Sequence, residues 1–200
     1  MSRHPDFEPM KLFQLIDVDG NGQISAINLF DFMKKQYMAV AASDVEDIIT
    51  EYDGTQNRGL DFDEFCQLVL PSANASLRHI AVQRRYSPYN QAGRPVAYEV
   101  LSLFTRLLDK EMALQRQRNE SKLALVKCPD FLKTKVFDTI ARGYHLIGMP
   151  ELISYLEKNG FYPRREDIEA ILRRMDHDAN RMISYEEFCE LASVSEPQRR

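Results

Sequence analysis

Three twelve-residue stretches of this 200-residue chain place oxygen-bearing side chains at alternating positions. Asp17, Asp19, Asn21 and Ser25 do so in the first, and Asp53, Thr55, Asn57 and Asp61 in the second. Asp176, Asp178, Asn180 and Ser184 do so in the third. Carboxylate, amide and hydroxyl oxygens packed this densely are the donors a hard divalent cation takes, at about six to eight per ion. The second stretch begins 36 residues after the first, and a step of 36 back from Asp176 reaches Ile140. Ile140 to Glu151 fits the same frame poorly, which still makes the chain a repeat.

The elements that would hold these stretches are helices. Before them come Leu12, Phe13 and Ile16, then Ile48, Ile49 and Tyr52, then Ile171, Leu172 and Met175. After them come Leu29 and Phe32, Phe65 and Leu68, Leu152 and Tyr155, Phe188 and Leu191. Spacings of three and four put these residues on one buried helix face. Each unit therefore reads as helix, twelve-residue loop, helix. Ser43 to Glu46 reads as a capping box at the start of a helix, and Gly160 breaks the chain between the last two units.

On these loops and flanking helices the chain resembles the EF-hand superfamily, in the four-hand, two-lobe arrangement of calmodulin and centrin. The resemblance covers residues 7 to 70 and 131 to 194. It implies an all-α fold of two EF-hand lobes joined by a long helical linker, with apolar eighth residues pairing between loops as Ile24 with Leu60 and Ile147 with Ile183. It also implies calcium, or magnesium, held by loop positions 1, 3, 5, 7, 9 and 12, with glycine at position 6 and a bidentate Glu at 12.

The fourth loop matches best: Asp176, Asp178, Asn180, the Met182 carbonyl, Ser184 and Glu187, with Arg181 in the glycine position. The first offers Asp17, Asp19, Asn21, the Gln23 carbonyl and Ser25, but Asn28 stands where the closing Glu belongs. The second is weaker, with Asp53, Asn57, Gly59, Asp61 and Glu64, and it carries Arg58 at position 6. The third sets Ile140, Arg142 and Tyr144 where oxygens are needed, so it is expected to bind nothing and to complete its lobe.

Charge divides the chain as the repeats do. Residues 1 to 72 carry 5 basic and 13 acidic side chains, residues 73 to 129 carry 10 and 4, and residues 130 to 200 carry 11 and 13. These segments are the expected N-terminal pair, connector with long helix, and C-terminal pair. Without a domain-wide basic face, nucleic-acid binding is not expected. No apolar run reaches the length of a membrane span. The N-terminus lacks a secretory apolar core, and Cys66, Cys128 and Cys189 are too scattered for a disulfide framework, so a reduced, cytoplasmic setting is expected. His4, His79, His145 and His177 form no triad with Ser, Cys or Asp, and no phosphate loop is present, so no enzyme is expected.

Residues 71 to 94, with the basic patch Arg78, His79, Arg84, Arg85 and Tyr86, read as an irregular connector with one short helix. A long helix follows from Pro95 to Lys127. Its stripe is Ala97, Leu101, Phe104, Leu108 and Met112, resumed by Leu123 and Val126. That stripe either docks on a lobe of its own chain or forms an arm for a partner. Two functions fit: a calcium-responsive adaptor gripping an amphipathic helical target, or a constitutive structural subunit, for which the resemblance to centrin implies a cytoskeletal or ciliary assembly. The partner is a protein in both.

Overall fold

A computed structural model describes residues 1–71, 74–84, 95–178 and 180–192, apart from the Leu191 side chain. Arg85, Tyr86, Ala179 and the tail beyond residue 192 lie outside the described residues. The fold is mostly helical, and the chain divides into two compact units, Met1–Gln117 and Arg118–Arg200.

In the first unit α1 (Pro9–Ile16), β1 (Ile24–Ser25) and α2 (Ala26–Lys35) are followed by α3 (Ala42–Tyr52), β2 (Gly59–Leu60) and α4 (Phe62–Val69). α5 (Ala75–Gln83) follows, started by Asn74, whose side chain accepts the Leu77 N–H at 2.9 Å. α6 (Tyr98–Lys127) begins in this unit and runs past its boundary. Pro95 lies three residues before α6 rather than in its first turn, because the first helical bond runs from the Leu101 N–H to the Ala97 carbonyl.

The residue at loop position 9 caps the helix that leaves the loop. Ser25 accepts the Asn28 N–H at 3.2 Å and Asp61 accepts the Glu64 N–H at 2.9 Å, each satisfying a donor the first helical turn leaves open. The box expected at Ser43 to Glu46 sits two residues earlier. α3 starts after Ala41, and Asp44, at its third position, accepts the Ala41 N–H at 2.8 Å. A short acid suits that place, since it also meets the positive end of the helix dipole.

β1 and β2 pair antiparallel, Ile24 opposite Leu60 and Ser25 opposite Gly59. Ile24 and Leu60 are fully buried, so this bridge fastens the two loops into the core. That core carries Phe7, Leu12, Phe13 and Ile16 of the α1 region with Leu29, Phe32 and Met33 of α2, and it extends to Ile48 and Phe65. Phe13 meets Phe62 and Phe65 edge-on, with ring centroids 5.7 and 5.6 Å away.

α6 lies in this core. Val100, Phe104, Leu108 and Met112 are buried with it, and the Phe104 ring stands 5.5 Å from Phe32 and 6.1 Å from Phe65. The seam thus runs in steps of four through Val100. Ala97 and Leu101, expected in the stripe, lie partly buried at its edge. Four residues beyond Met112, the Arg116 guanidinium grips Asp44 with two hydrogen bonds of 2.7 and 2.6 Å, tying α6 to the start of α3. The stripe expected to resume at Leu123 and Val126 does not bury, since both are exposed.

The second unit comprises the end of α6 with α7 (Lys133–Ala141), α8 (Met149–Lys158), α9 (Arg165–Met175) and α10 (Tyr185–Leu191). Its loops meet at one bridge, Ile147 with Ile183, through two N–H to carbonyl bonds of 2.9 Å. Phe137 packs edge-on to Tyr185 and Phe188 among Ile168, Leu172 and Met175. Ile168 takes the inward place expected of Ile171, which is exposed, because the face turned to Leu172 and Met175 continues four residues back from Leu172. α8 buries no residue fully, and Leu152, Ile153, Tyr155 and Leu156 lie half-buried against the core. Gly160, with φ of 82°, lets the chain turn back so that the Phe161 N–H bonds the Leu156 carbonyl at 2.9 Å.

Candidate metal centre

In the fourth loop one carboxylate oxygen from each of Asp176, Asp178 and Glu187 falls within 4.8 Å of the others, the one such cluster of acids, cysteines or histidines among the described residues. Backbone donors shape it. The Asn180 and Arg181 N–H groups bond the two oxygens of Asp176 at 2.9 and 2.6 Å, and the Met182 N–H bonds the Asn180 side chain at 2.7 Å. These bonds curl the loop so that positions 1, 3 and 5 face inward. Asn180 donates its side-chain N–H to Asp178 at 2.7 Å.

Glu187 closes the loop with a division of labour between its oxygens. One accepts the Ser184 N–H at 2.8 Å and the Ser184 hydroxyl at 2.9 Å, at the start of α10. The other crosses the loop and accepts the His177 N–H at 2.8 Å. Burial pushes the Glu187 carboxyl up, but the bonds from Ser184 and His177 outweigh it and leave the group below the usual carboxylate range. It is therefore ionised and pointed inward at neutral pH.

The second loop repeats the arrangement. Glu64 accepts the Asp61 N–H with one oxygen and the Thr55 N–H with the other, both at 2.9 Å. Asp53 accepts the Asn57 and Arg58 N–H groups at 3.1 and 2.7 Å. Gly59 belongs to the strand bridge, and its N–H bonds Asn57 at 3.1 Å. Position 6 is left-handed in both loops, φ 67° at Arg58 and 65° at Arg181, against 83° at Gly22 of the first loop. Each arginine thus holds a conformation costing about 1 kcal/mol for a residue with a Cβ.

The first loop has the same front half, the Asn21 and Gly22 N–H groups bonding Asp17 at 3.2 and 2.9 Å. Asn21 and Asp19 are bonded to each other at 2.9 Å, and the Gln23 N–H meets the Asn21 side chain at 2.8 Å. Its closing residue differs. The single oxygen of Asn28 takes the Ser25 N–H at 3.0 Å and the Ser25 hydroxyl at 2.6 Å, which uses it up as a cap. An amide one methylene shorter than Glu has no second oxygen to send across. The missing charge at Asn28 is legible in the sequence, whereas the crossing bond that it forfeits is not. In the third loop Ile140 is a core residue, Tyr144 is exposed and Glu151 caps α8 through the Gly148 N–H at 3.0 Å. The residues present thus fit a hard cation in the fourth loop, less completely in the second and first, and not in the third.

Residues 8–70 match the family described as an EF-hand domain pair. That stretch is an EF-hand pair. It takes in the first two loops, α1 to α4 and the Ile24–Leu60 bridge. Over 85 residues, 40% of this chain, the sequence is 34% identical to fimbrin of Dictyostelium discoideum. The chain spans 14% of the length of that relative. No helix among the described residues is long and apolar enough to cross a membrane.

Proposed function

We infer that the chain is a calcium-binding, non-enzymatic EF-hand adaptor with four hands in two pairs, as in calmodulin and centrin, and that it grips a helical protein target in the cytoplasm. The observation that carries this reading is the Asp176, Asp178 and Glu187 cluster, with donor oxygens within 4.8 Å of one another at the first, third and twelfth places of one loop. Asn180, Ser184 and the Met182 carbonyl complete the donor set. Calcium suits this set better than magnesium, which demands a tight octahedron and keeps its waters. Titration calorimetry of the full chain with calcium and with magnesium tests it. A saturable calcium heat that Glu187→Gln weakens by about tenfold or more is the expected result. Equal heats from both proteins, or none at millimolar calcium, would remove the reading.

A second reading, a constitutive subunit of a cytoskeletal or ciliary assembly, is favoured by α6. The first pair already holds a helix of its own chain in its core. Pull-down of one partner equally in calcium and in chelator supports it, and strict calcium dependence counts against it.

A further inference from the structure

The first unit carries a cavity of about 540 Å³ on a second face of α6, apart from the Val100–Met112 seam and from the ion loops. Its floor is aliphatic, built from Leu68 and Leu70 at the end of α4, Leu77 of α5, and Leu103 and Leu107 of α6. Its rim is cationic, with Arg3, Arg106 and Lys110, and no Asp or Glu lines it. Leu103, Arg106, Leu107 and Lys110 follow one another at i, i+3, i+4 and i+7, so a single helix supplies both a half-buried aliphatic row and the charges beside it. None of the three cations enters an ion pair or hydrogen bond among the described residues. Arg3 comes from residues 1 to 72, which hold 13 acidic and 5 basic side chains, whereas Arg106 and Lys110 belong to residues 73 to 129, with 10 basic and 4 acidic.

We propose that this groove docks an acidic amphipathic segment of a protein partner, with an aliphatic ridge seated on the leucines and carboxylates meeting Arg3, Arg106 and Lys110. A volume in the range of about 300–1,000 Å³ suits a few inserted side chains. An anionic membrane fits less well. The floor is concave where a lipid surface needs a protruding apolar face. A partner seated here would not have to displace the face of α6 that is buried in the core of the first unit.

The test uses the full chain in chelator, so that its outcome is independent of the ion loops and of the calcium reading. Two fluorescent peptides share leucines at every third and fourth position, one with glutamate and the other with glutamine at the polar places. The expected result by anisotropy is saturable binding of the glutamate peptide, about tenfold tighter than its twin at low salt and weakened by added salt. R106E/K110E abolishes that preference, and R106Q alone lowers it by about threefold. Both sites are exposed, so unchanged melting verifies the fold. Equal binding of the twins, a preference that survives R106E/K110E, no binding at millimolar peptide, or binding of phosphatidylserine vesicles in place of the peptide would each overturn the proposal.

Discussion

Replacing Phe104 with alanine asks whether α6 is part of the first unit's core or rests on it. The side chain is fully buried, with its ring 5.5 Å from Phe32 and 6.1 Å from Phe65. Truncating a buried phenylalanine costs about 3–5 kcal/mol, from lost transfer energy and the cavity left behind. The unit runs from Met1 to Gln117. At about 2.1 cal/mol/K of unfolding entropy per residue, a unit of that length loses about 12–20 °C of melting temperature. Leu114→Ala is the control, on the same helix but 47% exposed, and should shift melting by only about 2 °C. Because two units can melt separately, the assay needs a reporter inside the first. The Cys66 thiol serves, being 3% exposed and pushed up by burial to about 11. Its alkylation rate at neutral pH is slow until the unit opens, whereas exposed Cys128 reacts throughout. A Phe104→Ala protein that melts within about 4 °C of the Leu114→Ala protein, with Cys66 equally protected in both, would refute the placement of α6.

Two more predictions concern charge and ligation. Arg116 holds the Asp44 carboxyl below its usual range, although burial pushes the other way. A lowered acid stabilises the fold fully above the unfolded carboxylate value of about 3.9 and loses that contribution as pH falls through its own lower value. The melting difference between wild type and Asp44→Asn should therefore stay flat from pH 7 to about 5 and shrink only below about 4; a difference that fades near neutrality contradicts the pairing. Asn28→Glu should restore the crossing oxygen to the first loop and strengthen its ion binding by about tenfold or more, read as an added calorimetric site. Titrations indistinguishable from wild type would show that position 12 is not what limits that loop.

Much of this was legible in the sequence because it depends on short-range pattern. Donors at alternating positions placed the loops, and the inward eighth residues paired as expected, Ile24 with Leu60 and Ile147 with Ile183. What escaped depends on contacts far apart in the chain. A stripe on α6 shows that the helix needs a partner surface, but its periodicity cannot say whose, and only the packing against Phe32 and Phe65 does. The Asp44–Arg116 pair joins residues 72 apart, so nothing in the sequence around Asp44 announces it. The inward turn at Ile168 in place of Ile171 is a rotation of one face that a three-and-four rhythm permits equally. The clamp of Glu187 and Glu64 was legible as an acid at position 12, but its bond across to the backbone at positions 2 and 3 was not.

The seating of α6 among α2, α3 and α4 sets a threshold for any rival helix. A tethered occupant competes at an effective concentration in the millimolar range, without diffusing in. If vacating the cleft costs about 3 kcal/mol, an outside competitor binds about 150-fold more weakly than it would to an empty one. A weakly binding amphipathic segment would then leave α6 in place. Only a ligand strong enough to evict the incumbent, or one that makes the open form worth populating, would register there at all.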